Sequence, residues 1–415
     1  MLSEQSAAVV RATLPAVGAS LAEITERFYA GLFAARPELL RDLFNRGNQA
    51  AGTQRQALAG SIAAFATHLL DHPDERPDAM LGRIAHKHAS LGVTAEQYKL
   101  VHEHLFAAIA DVLGEAVTPE VAAAWDEVYW LMANALIAVE QRLYAQRGGH
   151  EWREWEVVAR VEETADVATF RLRPADGRPV PEFRAGQYVS VQVELADGAR
   201  QIRQYSLSAA PGSPLRQISV KRVHGAAAPD GEVSSHLHAR VAVGDRLRLS
   251  APYGDLVLGD SESDSNSNSE SNSDTGTGAV APLLLASAGI GVTPMVAMLG
   301  QLADAGHQGP VIVVHGDRSP AEHALRADHE GYARKLADAS VHFWYETGAD
   351  AAEESHRGGL VDLAGVAVPK GTRAYLCGPL PFMRAVRAQL IEKGVAAADI
   401  HYEVFGPDLW LAQQG

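Results

Sequence analysis

Cysteine is almost absent: Cys377 is the single one in 415 residues. A disulfide framework and every multi-cysteine zinc or iron–sulfur site are therefore excluded. Positive charge is also in deficit, with 36 Lys and Arg against 51 Asp and Glu and a net charge of −15. That balance disfavours nucleic acid, whose binding needs basic patches that displace counterions. No uninterrupted apolar run approaches the roughly 18 residues of a membrane-spanning helix. The opening Met1-Leu2-Ser3-Glu4-Gln5 lacks the basic flank and apolar block of a signal peptide. What remains is ordinary core-forming material, 47% hydrophobic and 21% charged. At roughly 100–200 residues per domain the length suits two to four domains. The expectation is a soluble, cytoplasmic, multidomain protein with no nucleic-acid partner and no membrane span.

Residues 1–147 read as all-helical. Apolar residues recur at steps of three and four through Leu81, Ile84, His88 and Leu91, and again through Trp125, Val128, Met132, Leu136, Val139 and Leu143. Helix starts are marked by a capping box of Thr94 with Gln97 and by Thr118 before an N1 proline, Pro119. Arg147 to His150 read as a hinge. Over 152–259 the pattern becomes short branched or alternating runs at 155–161, 169–172, 187–193, 203–208, 218–221 and 246–250. Gly, Pro and Asp separate them, which predicts an antiparallel β-barrel or sandwich. Residues 260–278 are almost wholly Ser, Asn, Asp, Glu, Thr and Gly, and are expected to be a disordered acidic, serine-rich insert. Over 280–415 strands at 282–286, 311–315, 341–345, 374–377 and 400–404 alternate with helices from Pro294, near 321–337 and from Pro381. That alternation predicts a parallel α/β sheet.

The first strand of this last segment runs into Gly289-Ile290-Gly291-Val292-Thr293-Pro294. Glycines there let the backbone approach a pyrophosphate, and the following helix N-terminus supplies free N–H groups. Taken alone, the pattern leaves a simple tight turn open. Other segments narrow it: Arg203-Gln204-Tyr205-Ser206, then Gly231-Glu232-Val233-Ser234-Ser235, then Tyr375-Leu376-Cys377-Gly378-Pro379, then His401-Tyr402-Glu403-Val404-Phe405-Gly406-Pro407. In this order they resemble the ferredoxin–NADP reductase superfamily over 152–415. The resemblance implies that Arg203 pairs with the FAD diphosphate, its guanidinium fork suiting phosphate. It implies that Tyr205 and Tyr188 lie along the flavin and that Ser206 bonds its reactive edge. Gly231, Val233 and Ser234 would cradle phosphate, Glu403 and Phe405 would flank the flavin, and Cys377, Gly378 and Pro379 would lie near the nicotinamide. Arg318 and Ser319 would either hold a 2′-phosphate or form a solvated turn, which leaves NADH against NADPH open.

In the helical segment, His86 and His88 are two apart, about 200° around a helix. His88 alone shares the stripe of Leu81, Ile84 and Leu91, and His86 faces away. An inward histidine is more often a satisfied core residue than a ligand, so on this evidence the core reading leads and the ligand reading stays open. The surrounding residues add to it: Phe28-Tyr29, Leu43-Phe44-Asn45, Asn48-Gln49, Gln54-Arg55, Leu58, Lys87-His88, Glu96-Gln97-Tyr98 and Ala133-Asn134 with Glu140. Their order resembles the globin domain of a flavohaemoglobin. The whole chain except 260–278 is thus similar to the flavohaemoprotein, nitric oxide dioxygenase, family. The resemblance implies His88 as proximal ligand to haem iron, Tyr29, Gln54 and Leu58 as distal pocket, and Phe44 against the porphyrin. Glu140 says something by itself. It sits at the edge of an apolar face formed by Leu136, Ile137 and Leu143, where an unpaired carboxylate is costly. Its partner is either Tyr98 with the free nitrogen of His88, as the resemblance implies, or Arg142 at the rim. A carboxylate behind the imidazole would make it a stronger donor to the metal. Lys87 and Glu403, neighbours of His88 and of the flavin, are expected to meet at the domain interface.

Nicotinamides give electrons as two-electron hydride, haem iron accepts one at a time, and a flavin does both. The implied path is NAD(P)H, FAD, haem b, then dioxygen, with nitric oxide oxidised to nitrate in a monomer. Two other readings are a haem-based sensor or store of dioxygen or nitric oxide, and a flavin reductase with a haem-free regulatory helical domain. An attached reductase weighs against the first. His88, Tyr29 and Gln54 in register weigh against the second.

Overall fold

The computed structural model describes residues 1–225, 230–259 and 280–407. The insert expected at 260–278 lies outside the described residues. Seven helices open the chain: α1 (Glu4–Ala35), α2 (Pro37–Asp42), α3 (Arg46–Ala50), α4 (Thr53–Asp71), α5 (Asp78–Leu91), α6 (Ala95–Leu113) and α7 (Pro119–Gln146). The predicted caps are formed, Thr94 with Gln97 starting α6 and Thr118 with Pro119 starting α7. Capping satisfies N–H groups that the first turn of a helix leaves without partners. By length and mean hydropathy α1 would suffice to cross a membrane. Its Val10, Ile24, Phe28 and Leu32 are instead buried in the helical core, where it packs on α4, α6 and α7.

The second unit comprises β1 (Arg153–Glu162), β2 (Val167–Pro174), β3 (Tyr188–Glu194), β4 (Arg200–Ser206), β5 (Arg216–Lys221) and β6 (Arg246–Leu249). They form one antiparallel sheet in the order β4-β3-β6-β1-β2-β5. Leu207 pairs with Ile218 just beyond β4, and the Ser208 N–H donates to the Gln217 carbonyl at 2.9 Å, so the two edges meet. The architecture is a barrel rather than a sandwich. Val189, Val191 and Val193 alternate inward to pack with Val157, Phe170, Leu172, Ile218 and Val220. The helix α8 (Glu232–Arg240) was not expected from the sequence. Its Val233 and Leu237, one turn apart, are buried in that same core.

The third unit is an all-parallel sheet of β7 (Leu283–Ala288), β8 (Val311–Asp317), β9 (Ala339–Tyr345), β10 (His356–Gly358), β11 (Arg373–Cys377) and β12 (Ile400–Glu403), with α9 (Val292–Asp304), α10 (Arg326–Ala333) and α11 (Leu380–Glu392). The order β10-β9-β8-β7-β11-β12 reverses direction at β7. In such sheets ligands lie beyond the carboxyl ends of the strands at the reversal, here β7 and β11. Two details depart from expectation. The helix anticipated near 321–337 is only α10, because Leu325 takes a left-handed φ of 56° just before it. The three-residue β10, His356-Arg357-Gly358, is too short and polar to carry a periodic signal.

The helical unit is fastened to the barrel through α5 and the end of α7. The Gly254 N–H donates to His86 Nδ1 at 2.9 Å, and Arg147 Nε donates to the Pro252 carbonyl at 2.6 Å. Gly254 has φ 115°, and a Cβ there would sit 3.1 Å from the Tyr188 ring, so both conformation and space call for glycine. Burial, and then the neighbouring Arg147 charge, push His86 down from 6.5 to about 4. A histidine depressed in the folded state stabilises fully above its unfolded value, and that stabilisation is lost as pH falls through the folded one. The holoprotein should accordingly lose on the order of 1–3 kcal/mol between pH 6.5 and 4 from this group. Urea midpoints across that range check it: His86→Gln, which keeps an acceptor for Gly254, should flatten the fall. An identical fall in wild type and variant would contradict it.

Candidate active site

His88 lies on α5, the helix whose His86 faces the barrel. Its Nδ1 is 3.0 Å from Glu140 Oε1 and 2.9 Å from the Tyr98 hydroxyl, which itself donates to Glu140 Oε1 at 2.6 Å. Glu140 is only 2% exposed. Of the partners open to it, the carboxylate takes the inward pair, His88 with Tyr98, in place of Arg142. Burial and the adjacent Glu140 charge push the Tyr98 hydroxyl far up, so it remains a donor. With Nδ1–H directed at a carboxylate, Nε2 is the basic nitrogen, the tautomer suited to ligating a metal.

Tyr29, buried on α1, has its ring 4.7 Å from Phe28, 5.6 Å from Phe33 and 5.8 Å from Phe44. Burial pushes its hydroxyl up to about 12, opposed by hydrogen bonding to Gln54 and Gln49. Leu58 and Phe44 are half-buried against the helical core. Gln49, absent from the predicted set, shares this contact with the Tyr29 hydroxyl. A basic imidazole nitrogen and a protonated phenol flanked by two amides fit a haem carrying a small ligand.

On β4, Arg203 and Tyr205 share one face and Gln204 and Ser206 the other, by strand alternation. Arg203 Nη1 donates to Gln201 Oε1 at 3.1 Å and to the Ile202 carbonyl at 2.7 Å. Both acceptors are neutral, so the guanidinium charge stays available to an anion. Ser206 sits opposite Tyr188 in register, and Tyr188 is buried beside Ala89, Leu143 and Tyr253 at the helical interface. Lys87 donates to Gln204 Oε1, whose amide donates in turn to Ser190 Oγ at 2.9 Å. Burial pushes Lys87 down to about 8, while the Glu403 charge pulls it up and Arg203 adds to the depression. The structure thus brings Lys87, Gln204, Arg203, Tyr188 and Glu403 to one place. Gly231 caps α8, and a Cβ on it would lie 2.6 Å from Ser234 Oγ and 2.8 Å from Val223 Cβ. Ser234 Oγ donates to the Gly231 carbonyl at 3.0 Å and accepts from the Val223 N–H at 3.1 Å. Val233 points into the barrel core, so its part is packing. A helix start beside an arginine fits a diphosphate.

The turn Gly289–Gly291 leads into α9, where Val292 and Pro294 are buried and Thr293 Oγ1 donates to the Ile290 carbonyl at 2.9 Å. A Cβ on Gly291 would lie 2.2 Å from the Cys377 carbonyl oxygen, and one on Gly378 would lie 3.0 Å from the Ala288 nitrogen. The loops after β7 and β11 therefore touch backbone to backbone. Burial and the Glu403 charge push the Cys377 thiol well up, so it stays protonated and is no nucleophile. Pro379 precedes α11. Val404 packs into the core behind β12, Phe405 is 45% exposed, and Gly406 and Pro407 follow as irregular chain. Arg318 faces carboxylates, its Nε on Glu322 and its Nη2 3.8 Å from Asp166.

Gln201 and Arg46 escaped sequence reading. Gln201 Nε2 donates to the Arg41 carbonyl at 2.9 Å and the Phe44 carbonyl at 3.2 Å, while its Oε1 accepts from Arg203. Arg46 pairs with Asp197 and Glu232 of the barrel at 2.6 Å each. The loop bearing Phe44 is thus tied to the strand bearing Arg203.

A globin-type pocket on the same helix as the docking face of a flavin- and nicotinamide-binding reductase defines a class of fused redox protein. Residues 26–136 match the globin model, 154–258 the oxidoreductase FAD-binding domain and 285–388 the oxidoreductase NAD-binding domain. The flavohemoprotein of Chromobacterium violaceum is 42% identical over 420 residues, covering 98% of both chains. That of Rhizobium meliloti is 39% identical over 99% of this chain and 100% of its own. The crystal structure of flavohemoglobin from Malassezia yamatoensis with bound FAD and heme superposes with a TM-score of 0.85 at 37% identity, covering 98% of this chain and 100% of that one. The chain belongs to the flavohaemoprotein family. It is an oxidoreductase with haem, FAD and a nicotinamide nucleotide as cofactors.

The Glu140 contact makes a prediction for the iron. Glu140→Gln keeps the size but removes the charge behind His88. A hydrogen bond to a charged group contributes about 1.5–3 kcal/mol, and ~59 mV is tenfold in a one-electron equilibrium. The haem should stay bound and its reduction potential should rise by on the order of tens of millivolts. An unchanged potential in a redox titration would contradict the relay.

Proposed function

We propose that the protein is an NAD(P)H-dependent nitric oxide dioxygenase that detoxifies nitric oxide in the cytoplasm. Two nitric oxide, two dioxygen and one NAD(P)H give two nitrate, NAD(P)⁺ and a proton. The observation that carries the proposal is the Glu140–His88–Tyr98 contact, placed on the helix that docks the reductase. A store or sensor of gas has no use for that docking. Haem, FAD and nicotinamide, when bound, supply the electron transfer. The chain's own groups do the rest. Arg203 and the start of α8 hold the diphosphate of FAD, and Tyr188, Tyr205, Ser206 and Glu403 surround its ring system. Gly291 and Gly378 let the loops after β7 and β11 close on each other at the strand ends where the nicotinamide must approach. His88 ligates iron, with the Glu140 charge behind it. The Tyr29 hydroxyl, held protonated by burial, donates a hydrogen bond to the diatomic ligand, and Gln54 and Leu58 complete that side. Phe44 packs on the porphyrin. An apolar cavity lined by Ile24, Ile62, Phe65, Leu105 and Phe106 is a medium into which apolar gases partition. All these groups lie on one chain, so a monomer suffices. A further structural relative, the FAD/NAD binding domain of nitric oxide dioxygenase from Vibrio cholerae, is 36% identical over 61% of this chain, with a TM-score of 0.53.

Aerobic holoprotein given NADH and nitric oxide should consume the gas and form nitrate in equal amount. His88→Ala should lose haem and at least a hundredfold of this activity, yet keep FAD and NADH oxidation by ferricyanide. Nitrate formation at the wild-type rate in His88→Ala would refute the proposal.

A further inference from the structure

Three histidines outside the redox path are buried together in the third unit. His315 is on β8, His323 follows it in the turn before Leu325, and His329 is on α10. His315 and His329 are fully buried and His323 is 4% exposed. One ring nitrogen from each lies within 4.8 Å of the other two. Two of the rings are anchored by hydroxyls, His315 Nδ1 at 2.8 Å from Ser287 Oγ and His323 Nδ1 at 2.9 Å from the Tyr345 hydroxyl. Their opposite nitrogens are thereby left for another partner. His323 Nε2 lies 3.2 Å from His329 Nδ1. His315 Nε2 lies 3.5 Å from Asp317 Oδ2, and neither atom has a hydrogen-bond partner among the described residues. His329 Nε2 is likewise buried and unpartnered. Buried polar atoms left in this way are costly, and their clustering asks for an explanation.

We propose that His315, His323 and His329 form a binding site for a divalent cation of intermediate softness, zinc(II), with the Asp317 carboxylate beside it as counter-charge. Neutral imidazoles are the ligands such an ion prefers, and a ligating ring characteristically fixes its second nitrogen on an oxygen, as Ser287 and Tyr345 do here. Burial holds His323 and His329 well below the usual histidine range, so both rings are neutral at neutral pH, and an ion would replace the hydrogen bond that now joins them. A tetrahedral ion with bonds of 2.0–2.1 Å sets ligand nitrogens about 3.3 Å apart. The 3.2 Å pair already meets that spacing. Binding closes the third nitrogen inward by up to about 1.5 Å from the present 4.8 Å and tilts apart the rings of His315 and His323, now stacked at 3.9 Å. The ion would brace the segment from β8 to α10, including the left-handed Leu325. It is structural and takes no part in electron transfer.

The test uses full-length holoprotein, stripped with a chelator and dialysed against zinc. Zinc and iron are counted per chain, and zinc K-edge absorption reads the ligands. The expected result is one zinc per chain with three nitrogen ligands and a thermal transition raised by the metal. His329→Gln should weaken zinc binding at least tenfold while haem, FAD and ferricyanide reduction stay at wild-type levels. The rival is surface binding at His68 and His72, whose rings are 5.1 Å apart at the end of α4. Loss of zinc in His72→Gln, or retention at wild-type affinity in His329→Gln, would overturn the proposal. Should His329→Gln fail to fold, the wild-type spectrum decides: two imidazoles or none would overturn it, and three would support it.

Discussion

Three consecutive side chains of α5 hold the molecule's two halves in working order. His86 accepts a hydrogen bond from the Gly254 backbone, Lys87 donates to Gln204 on β4, and His88 is fixed by Glu140 and Tyr98. A helix turns about 100° per residue, so neighbouring positions must point in different directions. One turn of helix therefore faces the Gly254 loop, strand β4 and the Glu140–Tyr98 pair at once. Displacing α5 would disturb all three, and the rest of the structure is arranged to prevent that. The capped α6 and α7 supply Tyr98 and Glu140, and Arg147 at the end of α7 grips the Pro252 carbonyl.

A second tie runs through Gln201. It links Arg203, proposed above to hold the FAD diphosphate, to the loop that carries Phe44. Arg46 reinforces it with Asp197 and with Glu232 at the start of α8. These ion pairs are partly exposed, and such pairs contribute little each. The buried amide of Gln201 is the firmer link, because breaking it would leave several buried polar groups without partners.

Local patterns made much of this legible in the sequence. The helical stripe separates His88 from His86, and the cost of burying a lone carboxylate marks Glu140 as needing a partner. The strand-to-glycine turn at 289–291 and the caps at Thr94 and Thr118 are local signals too, and the fold realises them. Relationships between distant segments were not legible. Gln201 and the Phe44 carbonyl are 157 residues apart, and no periodicity relates them. The choice of barrel over sandwich rests on one short stretch of pairing, Leu207 with Ile218 and Ser208 with Gln217. Short α8 and β10 lie below the length at which a period can be read. Leu325 takes a conformation that leucine rarely adopts, so a continuous helix was the natural expectation. The histidines 315, 323 and 329 look unrelated in the sequence until β8, the turn and α10 bring them together.

On the proposed function, electrons cross from flavin to haem within one molecule, over the contact that α5 makes. Anaerobic rapid mixing of the holoprotein with NADH tests it most directly. Flavin reduction should come first and haem reduction second, with a rate constant for the second step that is independent of protein concentration. A haem-reduction rate proportional to protein concentration, or haem that stays oxidised once the flavin is reduced, would contradict the account.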